Sequence, residues 1–241
     1  MINTDKKGVR LNRFIAMCGI CSRRKADLLI QQGLITINNE VIKNLGQRVF
    51  LNDQVFFQGS IISPEKNKYI LLNKPKGYIT TTKDELGRLT VMNLIKGAAK
   101  EKVLPVGRLD KDTTGLLLFT NDGVLAKKLT HPKHEVNKTY DVLLDKSLTK
   151  NTLLKVKKGL NLEDGFVKVD DIQYIDNDKK KIKLKIHVGK NRIVRRLFSF
   201  LGYKVLELDR SEYAYLNKHN LSLGEWRFLS LSELKILKQD T

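Results

Sequence analysis

The spacing of apolar residues over the first sixty positions predicts a small unit of two short helices followed by strands. Leu11, Ile15 and Cys18 recur at helical intervals. Ser22 is a suitable N-cap for a second helix over 23–32. The apolar runs that follow are short and bounded by turn residues, which predicts strands at 34–37, 41–42 and 49–57.

The rest of the chain alternates strands and helices irregularly. The fully apolar run Leu116–Phe119 predicts a buried strand. Further strands are predicted at 69–72, 138–143 and 181–188, and helices at 90–95, 122–129, 191–201 and a C-terminal segment capped by Ser230 or Ser232. Because strands outnumber helices, the pattern predicts an α+β domain on a mostly antiparallel sheet. A polar connector at 63–68 divides this domain, 67–241, from an N-terminal domain, 1–66.

Composition and charge narrow the class of partner. The 241 residues contain no apolar stretch of about 18 residues and begin without a signal-peptide pattern, so we expect a cytoplasmic protein. The net charge is +19, from 45 Lys and Arg against 26 Asp and Glu, which indicates a polyanionic partner. A membrane surface is the alternative, but no basic amphipathic helix with an exposed aromatic face is evident. Nucleic acid is therefore favoured over a membrane.

Two local features carry less information. The segment 179–196 holds nine Lys and Arg and no acidic residue, and its first three lysines are typical of a solvated hairpin turn. Cys18 and Cys21 form a C-x-x-C pair, but the four ligands of a zinc site are not found around them. A redox pair is the alternative, although buried apolar packing is favoured because no thioredoxin-like context surrounds them. We expect no metal.

The segment from Pro105 to Gly123 carries the most informative chemistry. Its sequence, PVGRLDKDTTGLLLFTNDG, places Arg108 and Asp110 on a loop directly before the buried strand. A strand fixes the geometry of a reactive acid while a loop exposes it, so this arrangement is typical of a catalytic carboxylate. The alternative is a tight loop in which Asp110 only caps a turn.

This segment resembles the signature of the pseudouridine synthases, specifically the branch that modifies ribosomal RNA. The pattern G-R-L-D-x-x-[TS]-x-G-L-L is complete from Gly107 to Leu117. Three further segments match the family in the same order: YILLNKPKG at 69–77, HPKHEVNKTY at 131–140 and GKNRIVRR at 189–196. The resemblance implies conversion of uridine to pseudouridine without a metal or nucleotide cofactor.

The resemblance also implies roles for individual residues. Asp110 would be the catalytic carboxylate, as nucleophile or as base. Tyr140 would be the active-site tyrosine, although a strand tyrosine in the core is the alternative. Arg195 would be the basic residue that pairs with Asp110. Arg108 would fill the gap that the flipped base leaves in the RNA. Arg192 and Arg196, which flank Arg195 in the sequence, would contact phosphate or lie on the surface.

Residues 9–61 resemble the small RNA-binding module named after ribosomal small-subunit protein four. The shared feature is a basic cluster at a helix end, followed by a helix and a short hairpin, and the matching residues are Arg10, Arg13, Ser22, Arg23, Arg24 and Lys25. Asn12 departs from the family, in which many members have aspartate. Cations near a helix N-terminus suit phosphate contacts, although a solvated basic surface is the alternative.

The expected partner is ribosomal RNA or a pre-ribosomal particle, bound by a monomer. The C-terminal stretch LDRSEYAYLNKHNLSLGEWR at 208–227 resembles members that act on large-subunit ribosomal RNA. A small-subunit synthase and a non-catalytic RNA-binding or ribosome-assembly protein that kept the fold are the alternatives.

Overall fold

The computed structural model describes residues 8–239 and divides the chain into two compact units, Met1–Asn67 and Lys68–Thr241. Residues 1–7 and 240–241 lie outside the described residues. They include the first residues of the predicted N-terminal domain and the last residues of the predicted C-terminal domain. Most of the N-terminal segment considered above for a signal peptide lies there as well. Each unit is described separately below.

The N-terminal unit confirms the two predicted helices. Residues 8–67 form β1 (Val9–Arg10), α1 (Leu11–Met17), α2 (Arg23–Gln31), β2 (Ile35–Ile37), β3 (Glu40–Val41), β4 (Arg48–Val49), β5 (Val55–Phe57) and β6 (Ser60–Ile61). The Ser22 hydroxyl accepts a hydrogen bond from the Lys25 N–H at 3.3 Å, as the predicted cap requires. The strands pair antiparallel in the order β3-β2-β5-β6, and β1 pairs with β4. Leu11, Ile15 and Ile30 lie in the apolar core of this unit.

The predicted continuous strand over 49–57 is wrong, because a turn divides it into β4 and β5. The Phe50 N–H donates to the Asp53 carboxylate at 2.8 Å, and the Asp53 N–H donates to the Phe50 carbonyl at 3.2 Å. An aspartate side chain that binds the backbone nearby competes with strand pairing.

The C-terminal unit is built around a large sheet with helices on its faces. Residues 68–239 form β7 (Tyr69–Lys74), α3 (Val91–Leu94), β8 (Leu104–Pro105), β9 (Thr114–Thr120), α4 (Gly123–Thr130), a 3₁₀ turn (Pro132–His134), β10 (Lys138–Leu144), α5 (Lys150–Lys158), β11 (Leu160–Leu162), β12 (Gly165–Val167), β13 (Asp171–Ile175), β14 (Asp178–Ile186), α6 (Ile193–Phe200), β15 (Val205–Tyr213), β16 (Leu216–Asn217), β17 (Trp226–Phe228) and α7 (Leu231–Gln239).

Strand order in this sheet is β13-β14-β10-β15-β9-β7-β17, with β16 beside β15 and β8 beside β9. Within the described residues, β15 and β9 are the one parallel pair of the sheet, and the other pairs are antiparallel. The predicted α+β fold on a mostly antiparallel sheet is confirmed. No helix between residues 8 and 239 is long and apolar enough to cross a membrane.

The apolar run of β9 is explained by burial on both faces. Leu116 and Leu118 belong to a core shared with α4 and α7, whereas Leu117 and Phe119 belong to a second core shared with α3. A strand covered on both sides has a continuous apolar sequence instead of an alternating one. This rigid central strand begins four residues after Asp110.

Gly115 is required by the approach of β15 to β9. Its φ is +104°, and a Cβ atom built there would lie 2.3 Å from the carbonyl oxygen of Arg210 and 2.5 Å from its nitrogen. In the parallel register, Arg210 lies opposite Gly115. The glycine of the motif therefore brings a strand from far along the chain to the base of the Asp110 loop.

Candidate active site

A buried lysine holds the loop that carries Asp110. Lys74, at the end of β7, is fully buried, and its Nζ donates to the carbonyl oxygens of Asp110 at 3.0 Å and Thr113 at 2.8 Å. It also donates to the carbonyl of Pro75 at 3.0 Å. Burial lowers the pKa of Lys74 to about 8, against the opposing effect of the Asp112 and Asp110 carboxylates. One ammonium group thus binds backbone carbonyls at both ends of the 110–113 turn.

Two further contacts from the same segment fix the loop. The Gly77 N–H donates to the Lys111 carbonyl at 2.8 Å. The Thr80 hydroxyl donates to the Leu109 carbonyl at 2.7 Å and accepts from the Leu109 N–H at 3.2 Å. Both sides of the residue before Asp110 are therefore bound by one side chain.

The Asp110 carboxylate faces an arginine, but not the predicted one. Arg192 Nη1 lies 3.2 Å from Asp110 Oδ2, and the Asp110 side chain is 35% exposed. Arg195 instead lies 3.0 Å from Asp112 Oδ2, and its Nη1 donates to the Val205 carbonyl at 3.0 Å.

The expected pairing of Arg195 with Asp110 is therefore wrong, because of how α6 begins. Arg192 is left-handed, with φ +46° and ψ +32°, and the helix begins only at Ile193 rather than at residue 191 as predicted. This places Arg192 beside Asp110. Arg195, within the first turn of α6, is bound to the start of β15 instead.

An open cleft of about 180 Å³ lies in front of Asp110. This volume is below the roughly 300–1,000 Å³ of pockets for drug-sized ligands, so it suits one small ring. Tyr140 lines the cleft, half-buried on β10, and Arg108 lies exposed at its edge. Among the described lining residues Asp110 is the single acid, whereas the basic ones are Arg108, Lys138, Lys190, Arg192 and Arg210.

The basic lining makes the cleft suited to an anionic ligand. Burial lowers the pKa of Lys138 to about 8, and the Arg210 guanidinium nearby adds to this effect, whereas Asp170 opposes it. The Lys138 ammonium donates to the carbonyls of Val136 at 2.8 Å and His187 at 2.7 Å. A ligand with negative charge would relieve the repulsion between these cations.

Residues 68–200 match the model of the family described as RNA pseudouridylate synthase. The chain belongs to this family. It is 42% identical over 233 residues to the ribosomal large subunit pseudouridine synthase B of Bacillus subtilis, covering 95% of each chain. An RNA pseudouridine synthase of Aquifex aeolicus is 40% identical, over 94% of this chain and 92% of the relative. A crystal structure of a pseudouridylate synthase superposes with a TM-score of 0.68 at 31% identity, over 95% of this chain and all of the other.

Residues 9–55 of this pseudouridine synthase match the S4 domain. Four of its predicted RNA contacts, Arg10, Arg23, Arg24 and Lys25, have exposed side chains, and Arg13 is half-buried. The unusual Asn12 is buried, and its amide donates to the Asp27 carboxylate at 2.8 Å. An aspartate at position 12 would face Asp27 with a like charge, so an amide suits this site.

Of the six site residues predicted in the catalytic domain, the structure brings four together. Asp110, Tyr140, Arg108 and Arg192 line one cleft. Arg196 does not line it, and its Nη1 lies 3.0 Å from an Asp164 carboxylate oxygen, which lowers the pKa of Asp164.

Sequence reasoning missed Lys74, Thr80, Lys138 and Arg210. Lys74 lies within the first matched segment and Thr80 just after it, so that segment held a usable signal. Lys138 and Arg210 also lie within matched segments, 131–140 and 208–227, but a lone basic residue in a strand is usually a surface residue, so neither was singled out.

Proposed function

We propose that this enzyme converts a uridine of large-subunit ribosomal RNA to pseudouridine in the cytoplasm, with Asp110 as the catalytic carboxylate. The observation that carries the proposal is Asp110 itself. It is the single acid among the described lining of a basic cleft, on a loop bound by Lys74, Gly77 and Thr80. The ribosomal substrate is supported by the printed name of the Bacillus subtilis relative.

The reaction breaks the bond between the sugar and N1 of uracil and forms a new bond to C5. The Asp110 carboxylate either attacks C1′ of the sugar or removes the proton at C2′. Arg192, 3.2 Å away, places a positive charge beside this half-buried carboxylate. The target base leaves its RNA stack to enter the cleft, and Arg108 at the edge takes its place. Tyr140 offers a flat face for the ring and a hydroxyl beside it.

Replacement of Asp110 by Asn tests the assignment. The amide keeps the shape but removes the anion, so we expect Asp110→Asn to abolish isomerisation while RNA affinity stays within about twofold of the parent. Asp112→Asn is the matched control on the same loop and should retain turnover within about tenfold. Pseudouridine has the same mass as uridine, so the nucleosides of a digested, defined RNA transcript are separated by liquid chromatography and the pseudouridine peak is measured. Turnover of Asp110→Asn within tenfold of the parent, about 1.4 kcal/mol in barrier height, contradicts the proposal.

The RNA target requires a separate experiment. Pseudouridines are mapped across both ribosomal RNAs in a strain that lacks this protein, and in the same strain carrying the parent or the Asp110→Asn gene. We expect one large-subunit position to lose its modification and to regain it only with the parent gene. Loss in small-subunit RNA contradicts the subunit assignment, and loss nowhere contradicts the ribosomal substrate.

A further inference from the structure

Arg210 is a buried cation in the wall of the cleft. It is 3% exposed and lines the same cleft as Asp110 and Tyr140. Its Nε–H donates to the Leu116 carbonyl at 2.8 Å. Within residues 8–239 no carboxylate forms an ion pair with it, and its Nη2 is buried without an acceptor.

The surroundings of Arg210 do not compensate its charge. The Tyr213 ring lies 4.6 Å from its central carbon, a favourable but weak contact for a full charge. Lys138 is close enough for the guanidinium to lower the pKa of that lysine, so a second cation lies in the same surroundings. A buried charge that is neither paired nor fully hydrogen-bonded costs several kcal/mol. A merely structural residue at this position would not need that charge, since a neutral donor would reach Leu116.

The sheet register places Arg210 beside the residue proposed to hold the base. Arg210 on β15 lies directly opposite Tyr140 on β10. Side chains of directly opposed residues on neighbouring strands project from the same face of a sheet. A ring bound against Tyr140 is therefore bordered by the guanidinium of Arg210. Asp110 is the single acidic residue in the described lining of this cleft.

We propose that Arg210 stabilises the negative charge that develops on the uracil ring when its bond to the sugar breaks, which rests on the function proposed above for the cleft. When the C1′–N1 bond breaks, its electron pair stays on uracil and spreads over N1, O2 and O4. The sugar is left electron-poor, and either the Asp110 carboxylate bonds to C1′ or it takes the C2′ proton and leaves a C1′–C2′ double bond. The turned ring then bonds to C1′ through C5, while the Asp110 oxygen leaves C1′ or returns the proton to C2′. C5 gives its proton to water and N1 takes one up, so the product is an isomer of the substrate and no electrons are gained or lost. A fixed cation in a low-dielectric wall acts where this charge appears.

The test uses the full-length enzyme, single-turnover conditions, and two RNA transcripts that differ only at the target nucleotide, uridine or 5-fluorouridine. Fluorine withdraws electrons and stabilises the departing anion by itself. We expect Arg210→Gln to slow consumption of uridine by about 100- to 1,000-fold, the range for loss of one charge-stabilising donor, with RNA affinity changed by less than threefold. Consumption of 5-fluorouridine should slow at least tenfold less. An equal loss on both nucleosides, or no loss on uridine, overturns the proposal.

Three further variants keep the result unambiguous. Arg227→Gln removes a partly buried guanidinium that pairs with Glu233 outside the cleft lining, and it should leave both rates unchanged once folding is verified by thermal melting. Arg210→Lys keeps a positive charge but loses the planar, two-pronged guanidinium. If Arg210→Gln does not fold, the rates on uridine and 5-fluorouridine are compared in Arg210→Lys instead, and we expect the same difference at a smaller size. An equal fractional loss of rate on both nucleosides for the lysine variant also overturns the proposal.

Asp110→Asn separates this proposal from the function proposed above. An active Asp110→Asn enzyme contradicts the active site itself, whereas an inactive Asp110→Asn beside a fully active Arg210→Gln contradicts only the role of Arg210.

Discussion

Thr80 binds both polar groups of the Leu109 peptide, and Asp110 is the next residue. The isosteric change Thr80→Val would leave that N–H and carbonyl without their partner. Loss of such contacts typically costs about 1–3 kcal/mol, so we expect kcat to fall about tenfold to a hundredfold. RNA affinity should stay within about twofold, because the Thr80 side chain contacts the loop of the enzyme.

Thr80→Ser is the matched control, since it keeps the hydroxyl and removes only a methyl group. It should retain most of kcat. Steady-state kinetics of both variants, with RNA binding measured in parallel, distinguish positioning from general damage. An equal loss of kcat in the serine and valine variants contradicts the role assigned to the hydroxyl.

Gly115 is a single residue on which the stability of the fold depends, because the Arg210 peptide lies directly against it. Gly115→Ala would force a side chain onto a left-handed backbone and into the Arg210 peptide. We expect the free energy of unfolding to fall by about 3 kcal/mol or more, measured by urea denaturation. Gly123→Ala is the control, because a Cβ there meets nothing within 4 Å, and it should change stability by less than about 1 kcal/mol. A stable Gly115→Ala protein with unchanged activity would show that β15 can move away without consequence.

At the scale of elements, α7 begins with a reciprocal cap. The Glu233 N–H donates to the Ser230 hydroxyl, and the Ser230 N–H donates to the Glu233 carboxylate at 2.8 Å. The Arg227 guanidinium binds both Glu233 oxygens at 2.7 and 2.8 Å and, with the cap, lowers the pKa of Glu233 to about 2.

A carboxyl group whose pKa is depressed on folding stabilises the protein above its unfolded pKa, near 4.5, and this contribution is lost as the pH falls toward 2. We therefore expect Glu233→Gln to lower the free energy of unfolding by about 1 kcal/mol at pH 6, with the difference from the parent vanishing as the pH approaches 2. Chemical denaturation at several pH values measures it. Glu207→Gln, which breaks the exposed pair with Lys76, should have almost no effect at any pH. A difference that persists unchanged to pH 2 would contradict the role of the Glu233 charge.

Elements were predicted well where a local signal fixes their ends. Ser22 caps α2 and Ser230 caps α7 as predicted, because a side-chain oxygen before an apolar repeat is recognised from neighbouring residues alone. Helix α5 and strand β15 were not predicted. In β15 the alternation of apolar and polar residues is interrupted by Arg210, a charged residue that is buried. Its burial depends on the tertiary structure, which the local spacing of residues does not reveal.

The same distinction applies to the site. The motif around Asp110 predicted the loop and its cleft partner Tyr140 through resemblance. The arginine facing Asp110 was assigned wrongly because one left-handed residue, Arg192, shifts the start of α6. Sequence spacing within a helix cannot indicate which of two nearby arginines faces a loop from another part of the chain.

At the scale of the whole molecule, the N-terminal unit concentrates exposed cations on one helix start. The triple change Arg23→Gln, Arg24→Gln and Lys25→Gln should weaken RNA binding and make it less dependent on salt. Each lost phosphate contact reduces the slope of log K against log salt by about 0.7–0.9. The slope is measured by filter binding between low and moderate salt.

The control removes the same charge elsewhere, with Lys179→Gln, Lys180→Gln and Lys181→Gln at the β13–β14 hairpin, where all three lysines are exposed. The slope should change little. An equal reduction by both triple variants would indicate that net charge alone, and not the S4 domain, determines RNA affinity. In both variants the rate of a single turnover at saturating RNA should match the parent, since neither set lines the cleft.

The parallel pairing of β9 with β15 also has a consequence for the order of events during protein synthesis. Thr114 and Asp209 meet across 95 residues of chain, and the outer strand β17 arrives later still. The nascent polypeptide therefore releases the Asp110 loop long before the strand that completes its surroundings leaves the exit tunnel. Contacts between distant segments also form slowly. The active site of the newborn enzyme is thus incomplete until translation is almost finished, although the S4 domain has left the ribosome long before.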